Sequence, residues 1–124
     1  MKKWLFIAAV NGALAVLAGA FGAHALAQRL EPRMLGAFNT GAHYHLIHAV
    51  AMGVAALAAR GAAKMQAEVA SLLLLIGILL FSGSLYMLAL TGVRYFGYVT
   101  PLGGIALVLG WAMLAWAALK LEEQ

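Results

Sequence analysis

Four long apolar segments make up most of this chain, and each is about as long as a bilayer is thick. They cover residues 4–26, 40–59, 69–91 and 99–119. A helix rises about 1.5 Å per residue, so roughly 20 residues cross about 30 Å of hydrocarbon. Of the 124 residues, 65% are hydrophobic and 10% charged, which is too little charge to cover a soluble domain with a polar surface. The sequence therefore predicts an integral membrane protein.

The gaps between the segments are mostly short, and short connections place consecutive helices antiparallel. The expected fold is all-α: a four-transmembrane-helix antiparallel bundle that forms a single integral membrane domain over residues 1–124. The gap at 27–39 is longer, and its apolar residues recur at helical spacing, which predicts a short interfacial helix between helices 1 and 2. Thr100 and Pro101 match an N-cap followed by proline at the first helical position, which predicts the start of the fourth helix.

Basic residues at the ends of the apolar segments indicate the orientation of the chain. One face of the four-span arrangement carries Lys2, Lys3, Arg60, Lys64 and Lys120. The other face carries Arg29, Arg33 and Arg94. Because cytoplasmic loops are richer in Lys and Arg, this bias predicts a multi-pass protein of the bacterial cytoplasmic (inner) membrane with both termini in the cytoplasm. A dual or inverted topology is the alternative.

The first apolar segment has a rival interpretation as a cleaved secretory signal. Lys2 and Lys3 precede an apolar run, and Ala23-His24-Ala25 matches the A-x-A pattern of a cleavage site. The run contains Asn11 and extends beyond a typical signal core. We therefore interpret this segment as a permanent helix.

All four histidines lie near the junction between the first two apolar segments, and they mark the candidate site. Ionisable groups at membrane depth are costly and tend to be functional. His45 and His48 are three residues apart, so they share a helix face with Tyr44, whereas His43 points elsewhere. The candidate ligand or polar site comprises the residues expected at this depth: His24, Tyr44, His45, His48, Ser84, Tyr86 and Thr91.

Two chemistries suit this site. Imidazoles bind transition metals and haem iron, so His24, His45 and His48 are a candidate metal ligand set. No carboxylate lies within the spans to support such ligands. Hydrogen bonding between helices is therefore the favoured interpretation, and no cofactor is predicted.

Small residues at helical spacing predict close contacts between helices. In lipid, small side chains let backbones approach, and polar ones hydrogen-bond across the seam. The predicted packing positions are Asn11, Ala15, Gly19, Ala23 and Gly77.

Short motifs spread over the chain carry a family resemblance. They are GAFGAHAL at 19–26, TGAHYHLIHA at 40–49, FSGSLY at 81–86, LTG at 90–92, TPLGG at 100–104 and Gly110-Trp111. With this order and spacing the chain resembles the DUF423 family of small bacterial inner-membrane proteins, which is related to the transmembrane protein 256 group. The resemblance implies a compact four-helix membrane protein of unknown function, and it supplies no catalytic residues.

The sequence lacks the motifs of soluble-type catalysis. It has no hydrolase elbow, phosphate-binding glycine loop, paired carboxylates, H-E-x-x-H or cysteine. We expect a structural, accessory or interaction protein rather than an enzyme, with the lipid bilayer and a homo-oligomer or larger membrane complex as partners. The singly scattered cations predict no nucleic-acid binding. The alternatives are a ligand-binding protein with a metal, haem or small molecule at a histidine-lined pocket near the outer leaflet, and a small oligomeric transporter.

Overall fold

The computed structural model describes residues 2–121, and all regular structure in that range is helical. The α-helices in chain order are α1 (Lys2–His24), α2 (Pro32–Ala58), α3 (Lys64–Gly77), α4 (Gly83–Thr91) and α5 (Phe96–Leu121). A 3₁₀ turn at Gly61–Ala63 leads into α3, and a π-helical segment at Ile78–Ser82 joins α3 to α4 without a break. We call this continuous run, residues 61–91, the third helix.

Three of the helices in the described range are long and apolar enough to cross a membrane. They are α1, the third helix and α5. Helix α2 is not among them, although with 27 residues it is long enough to cross a membrane. Its sequence includes Asn39, Tyr44 and three of the four histidines, which lower its mean hydropathy. The chain is therefore all-helical, as predicted, and three of its four helices have the length and composition of membrane spans.

The prediction of a separate interfacial helix between the first two spans is wrong. Helix α2 begins at Pro32, with proline in its first turn, and continues unbroken to Ala58. Proline suits this position because the first amides of a helix have no intrahelical acceptor. The early turns of α2 are held by burial of Phe38, which packs in one cluster with Leu26 and Ala89. The apolar pattern in the gap is thus the start of α2.

The helices also extend beyond their apolar segments at other ends. The third helix begins near residue 61 rather than 69, since Met65, Gln66 and Glu68 are good helix formers even though they reduce hydropathy. Helix α5 begins at Phe96, which places Pro101 inside it. Proline at this position removes only one backbone hydrogen bond near the start of the helix. The chain already turns before it, where the Gly97 N–H donates to the Arg94 carbonyl at 2.9 Å.

Small residues fill the interior, and large apolar side chains point outward. Many of the most buried residues are alanines, such as Ala55, Ala56 and Ala67 at 0% exposure. Phe6 and Leu119 are 70% and 72% exposed. All four helices contribute to one core cluster, whose members are Trp4, Ala8, Ala51, Met52, Ala56, Leu74, Ile78 and Leu107. Such an apolar surface suits a lipid environment. In lipid, helices are held together by close packing rather than by hydrophobicity, which fits the small residues of the interior.

The third helix and α5 interlock through two reciprocal pairs of leucine and glycine. A Cβ added to Gly77 would lie 2.6 Å from Leu107 Cγ, and one added to Gly110 would lie 2.8 Å from Leu74 Cγ. Each leucine therefore occupies the space that the opposite glycine leaves free. The predicted packing role of Gly77 fits this arrangement.

The predicted line of packing positions on α1 is buried only in its first half. Asn11 and Ala15 are buried, Gly19 is half-buried and Ala23 is exposed. Four residues turn about 40° more than one full turn of a helix. Positions spaced four apart therefore rotate gradually away from the neighbouring helix. Gly22 takes the contact instead, since a Cβ there would lie 2.5 Å from Asn39 Oδ1.

Candidate functional site

His45 joins α2 to two other helices through both of its ring nitrogens. Its Nε2 lies 3.0 Å from Asn11 Oδ1, and its Nδ1 lies 2.9 Å from the Tyr86 hydroxyl. Asn11 donates its amide N–H to the Ile7 carbonyl at 3.0 Å, which leaves Oδ1 as an acceptor. His45 Nε2 therefore donates to Asn11 Oδ1, and in the neutral ring Nδ1 accepts the Tyr86 O–H. The imidazole is buried, and both of its nitrogens are hydrogen-bonded.

His48 is held in the opposite tautomer and contacts a different helix. The Trp111 indole N–H, which can only donate, lies 3.0 Å from His48 Nε2. His48 Nδ1 lies 2.7 Å from the Tyr44 carbonyl, which can only accept. His48 is therefore neutral, with its proton on Nδ1. The bond to Trp111 connects α2 to α5 across the side of the bundle where these two helices meet.

The structure brings together some of the predicted site residues and separates others. Tyr44, His45, His48 and Tyr86 lie in the interior network or beside it. Ser84 bonds instead to Thr100, with 2.6 Å between the hydroxyl oxygens. Thr91 is exposed and closes the end of α4, donating to the Met87 carbonyl at 2.6 Å.

His24 does not join the other histidines. It is exposed at the last turn of α1, and His43 is exposed on α2. Within residues 2–121 no three His, Cys, Asp or Glu side chains are grouped so as to hold a metal ion. The predicted set of His24, His45 and His48 is therefore not assembled. His45 and His48 differ by about 60° around α2, which is enough to direct them to different neighbours.

Sequence reasoning did not place Trp111 or Phe81 in this network, whereas Ser82 was expected at the depth of the histidines. Ser82 is buried and donates to the Gly41 carbonyl at 2.7 Å. This is a second hydrogen bond between α2 and the third helix, in addition to the one between His45 and Tyr86. Trp111 lies 63 residues from its partner His48. No local spacing links residues so far apart, although Gly110-Trp111 stood among the family motifs.

A groove of about 620 Å³ opens between α2 and α5 beside His48. Tyr44 forms one wall, where it stacks on His48 with ring centres 5.8 Å apart and contacts Phe81 at 4.6 Å. Phe81 belongs to the π-helical segment, a type of irregularity that is frequent at functional sites. The remaining lining is Pro101, Gly104, Ile105, Leu107, Val108, Leu109 and Trp111. The groove contains no charged side chain, and both nitrogens of its one imidazole are already bonded.

These features define a class of protein: a small all-helical membrane protein whose second helix is fastened to the other three by buried polar side chains. Around His45 and His48, the interior offers hydrogen bonds between helices rather than free ring nitrogens.

The chain belongs to the family described as protein of unknown function (DUF423), which matches residues 18–104. It is 41% identical over 121 residues to the UPF0382 membrane protein YwdK of Bacillus subtilis (strain 168), covering 97% of this chain and 98% of the relative. It is 37% identical over 120 residues to the UPF0382 inner membrane protein YgdD of Escherichia coli (strain K12), covering 97% and 92%. No solved structure matches the chain. The predicted family is confirmed, and so is a membrane protein of uncharacterised biochemical role.

Proposed function

We propose that this protein is a structural or accessory component of the bacterial inner membrane, and that its two buried histidines are internal cross-links between helices. The observation that carries the proposal is that all four ring nitrogens of His45 and His48 are hydrogen-bonded within the fold. A ligand held by these histidines, or a catalytic step carried out by them, would need at least one of these nitrogens free. The proposed role therefore includes neither a bound cofactor nor catalysis.

The cross-links have a clear physical use in lipid. Helices there gain little from hydrophobicity, so interhelical hydrogen bonds and close packing determine which faces meet. Helix α2 reaches Asn11 on α1, Tyr86 on α4 and Trp111 on α5. These three contacts fix the rotation of α2 relative to every neighbour. The apolar outer surface suits lipid or another membrane protein, which is consistent with an accessory or oligomeric role.

We further propose that α2 is the fourth membrane span. The histidines that lower its mean hydropathy include His45 and His48, which are 6% and 5% exposed, so their cost is met inside the bundle. The opposite face of α2 presents large apolar residues: Leu46, Ile47, Val50, Val54 and Leu57. At about 1.5 Å per residue, its 27 residues exceed the thickness of the hydrocarbon.

Four spans place both ends of the chain on one side, and the basic residues predict that this side is the cytoplasm. A fusion of alkaline phosphatase after Gln124 is expected to be inactive, and a fusion of green fluorescent protein there is expected to be fluorescent. A matched fusion in the turn after Gly92 should give the reverse pattern. An active phosphatase after Gln124 would contradict either the number of spans or their orientation.

The cofactor-free proposal predicts the composition of the purified protein. Protein extracted in mild detergent is expected to hold less than about one-tenth of an equivalent of zinc, copper, nickel or iron, and to show no visible absorption band. Elemental analysis and a visible spectrum measure this directly. One equivalent of metal or haem that His48→Ala removes and His43→Ala retains would refute the cross-link role of His48.

A further inference from the structure

A second cavity lies at the end of the bundle away from both chain termini, and two arginines line it. Its volume is about 490 Å³. Arg33 comes from the first turn of α2, and Arg94 from the turn between α4 and α5. The fold therefore brings together two cations that are 61 positions apart in the sequence. The rest of the lining is Met34, Ala37, Leu88, Gly92, Gly97 and Tyr98.

These cations are poorly neutralised by the protein. Among the described residues, Glu31 is the one acidic residue near this end, and its Oε1 is 3.9 Å from Arg33 Nε, close to the outer limit of an ion pair. Both side chains of that pair are mostly exposed, at 85% and 62%, so the contact is weak. Arg94 forms no ion pair within the described range 2–121. The cavity therefore carries net positive charge.

The rest of the cavity lining is mostly apolar, and two exposed tyrosines lie near it. Met34, Ala37 and Leu88 contribute aliphatic surface beside the guanidinium groups. Tyr95 and Tyr98 lie nearby with ring centres 6.1 Å apart and ring planes tilted by 55°, and both are more than 70% exposed. Exposed tyrosines with arginine are typical of the headgroup level of a membrane. The lining of the cavity thus includes both cationic donors and apolar side chains.

We propose that this cavity binds an anionic phospholipid, with Arg33 and Arg94 holding the headgroup phosphodiester and the Met34 side of the cavity contacting the start of an acyl chain. Guanidinium groups bind phosphate oxygens in pairs and are weakly hydrated, so they suit this role better than lysine. Basic pockets between membrane helices hold such headgroups on the cytoplasmic or matrix side. In the orientation proposed above this cavity faces the opposite side, where the same guanidinium–phosphate chemistry applies. A free phosphate would use the arginines and leave the apolar wall uncovered, which favours the lipid. The assignment rests on the proposed membrane-spanning fold, since that fold places the cavity at headgroup depth.

Native mass spectrometry of the full chain in detergent, titrated with phosphatidylglycerol, tests the site. Each basic residue near a membrane surface contributes about fivefold to the binding of anionic lipid, so the double variant Arg33→Gln/Arg94→Gln is expected to bind roughly 10- to 30-fold more weakly. The matched control is Arg60→Gln/Lys64→Gln, which removes two exposed cations at the opposite end. It is expected to bind as the wild type does, and helix content measured by circular dichroism confirms that both variants fold.

Three results would overturn the assignment: equal affinity in the double variant and the wild type, an equal loss in the control, or equal binding of zwitterionic phosphatidylcholine. Displacement of the lipid by millimolar inorganic phosphate would show that the arginines bind free phosphate instead. A failure of the four-span topology is distinguishable, because the fusion reporters detect it while lipid binding in detergent is measured independently.

Discussion

Replacing Gly103 by alanine is expected to destabilise the protein by about 3 kcal/mol, because the added methyl group has no room at this position. A Cβ at this position would lie 2.6 Å from the Leu80 carbonyl carbon and 2.7 Å from Phe81 Cα. These are backbone atoms of the π-helical segment, so no side chain can rotate to make room. Either α5 or the third helix must move. Denaturation in mixed detergent micelles, followed by circular dichroism, measures the loss.

Gly104→Ala is a matched control for that substitution. Its added Cβ would lie 3.8 Å from Phe81 Cδ2, an ordinary contact. Alanine is favoured over glycine in a helix by about 1 kcal/mol, so this variant is expected to be as stable as the wild type or more so. Gly103→Ala should therefore lower the free energy of unfolding, whereas Gly104→Ala should leave it unchanged or raise it. Equal effects would show that the close contact between α5 and the π-helical segment is not formed.

His45→Ala is expected to lower the free energy of unfolding by about 2–4 kcal/mol. It removes both interhelical bonds of the ring and leaves Asn11 Oδ1 and the Tyr86 hydroxyl without a partner in the interior. Single interhelical hydrogen bonds in membrane proteins contribute about 0.6 kcal/mol on average. The larger expected loss comes from the two unpaired groups and the cavity. The same micellar denaturation experiment measures it.

Two further variants separate the hydrogen bonds from the loss of volume. Tyr86→Phe removes one hydroxyl and is expected to lower stability by about 1 kcal/mol. His43→Ala changes an exposed histidine two positions away, and its effect should stay within about 0.5 kcal/mol. Stability that is unchanged in His45→Ala, or a loss as large in His43→Ala, would contradict the cross-link role of His45.

Local pattern predicted the helices better than it predicted their ends. The apolar runs located all four helices, because lipid-facing residues must be apolar along most of a span. Helix α2 nevertheless begins at Pro32 and α5 at Phe96. Hydropathy detects contact with lipid, whereas helix limits depend on breakers and caps. Pro101 is an example: its sequence context matches a helix start, but turns at Val93 and Arg94 begin α5 earlier.

The candidate site was predictable in part for a similar reason. His45 and Tyr44 share α2, so their placement near the core followed from spacing along one helix. The partners Asn11, Tyr86 and Trp111 come from three other helices. Asn11 was predicted as a packing residue and Tyr86 as a site residue, but the sequence did not pair either one with His45. His24 was grouped with the site because it was expected at the same depth, yet its side chain is exposed at the end of α1.

The sequence by itself determined that this protein lies in lipid and is helical, since its composition and the length of its apolar segments fit membrane-spanning α-helices. Its short motifs determined its family. Only the tertiary structure decided which partner each histidine bonds to, which glycine lies against the backbone of a neighbouring helix, and which arginines line the same cavity. The physical reason is that membrane helices associate through close contacts and single hydrogen bonds. Such contacts depend on the rotation and crossing of helices, which residue order along one chain does not specify.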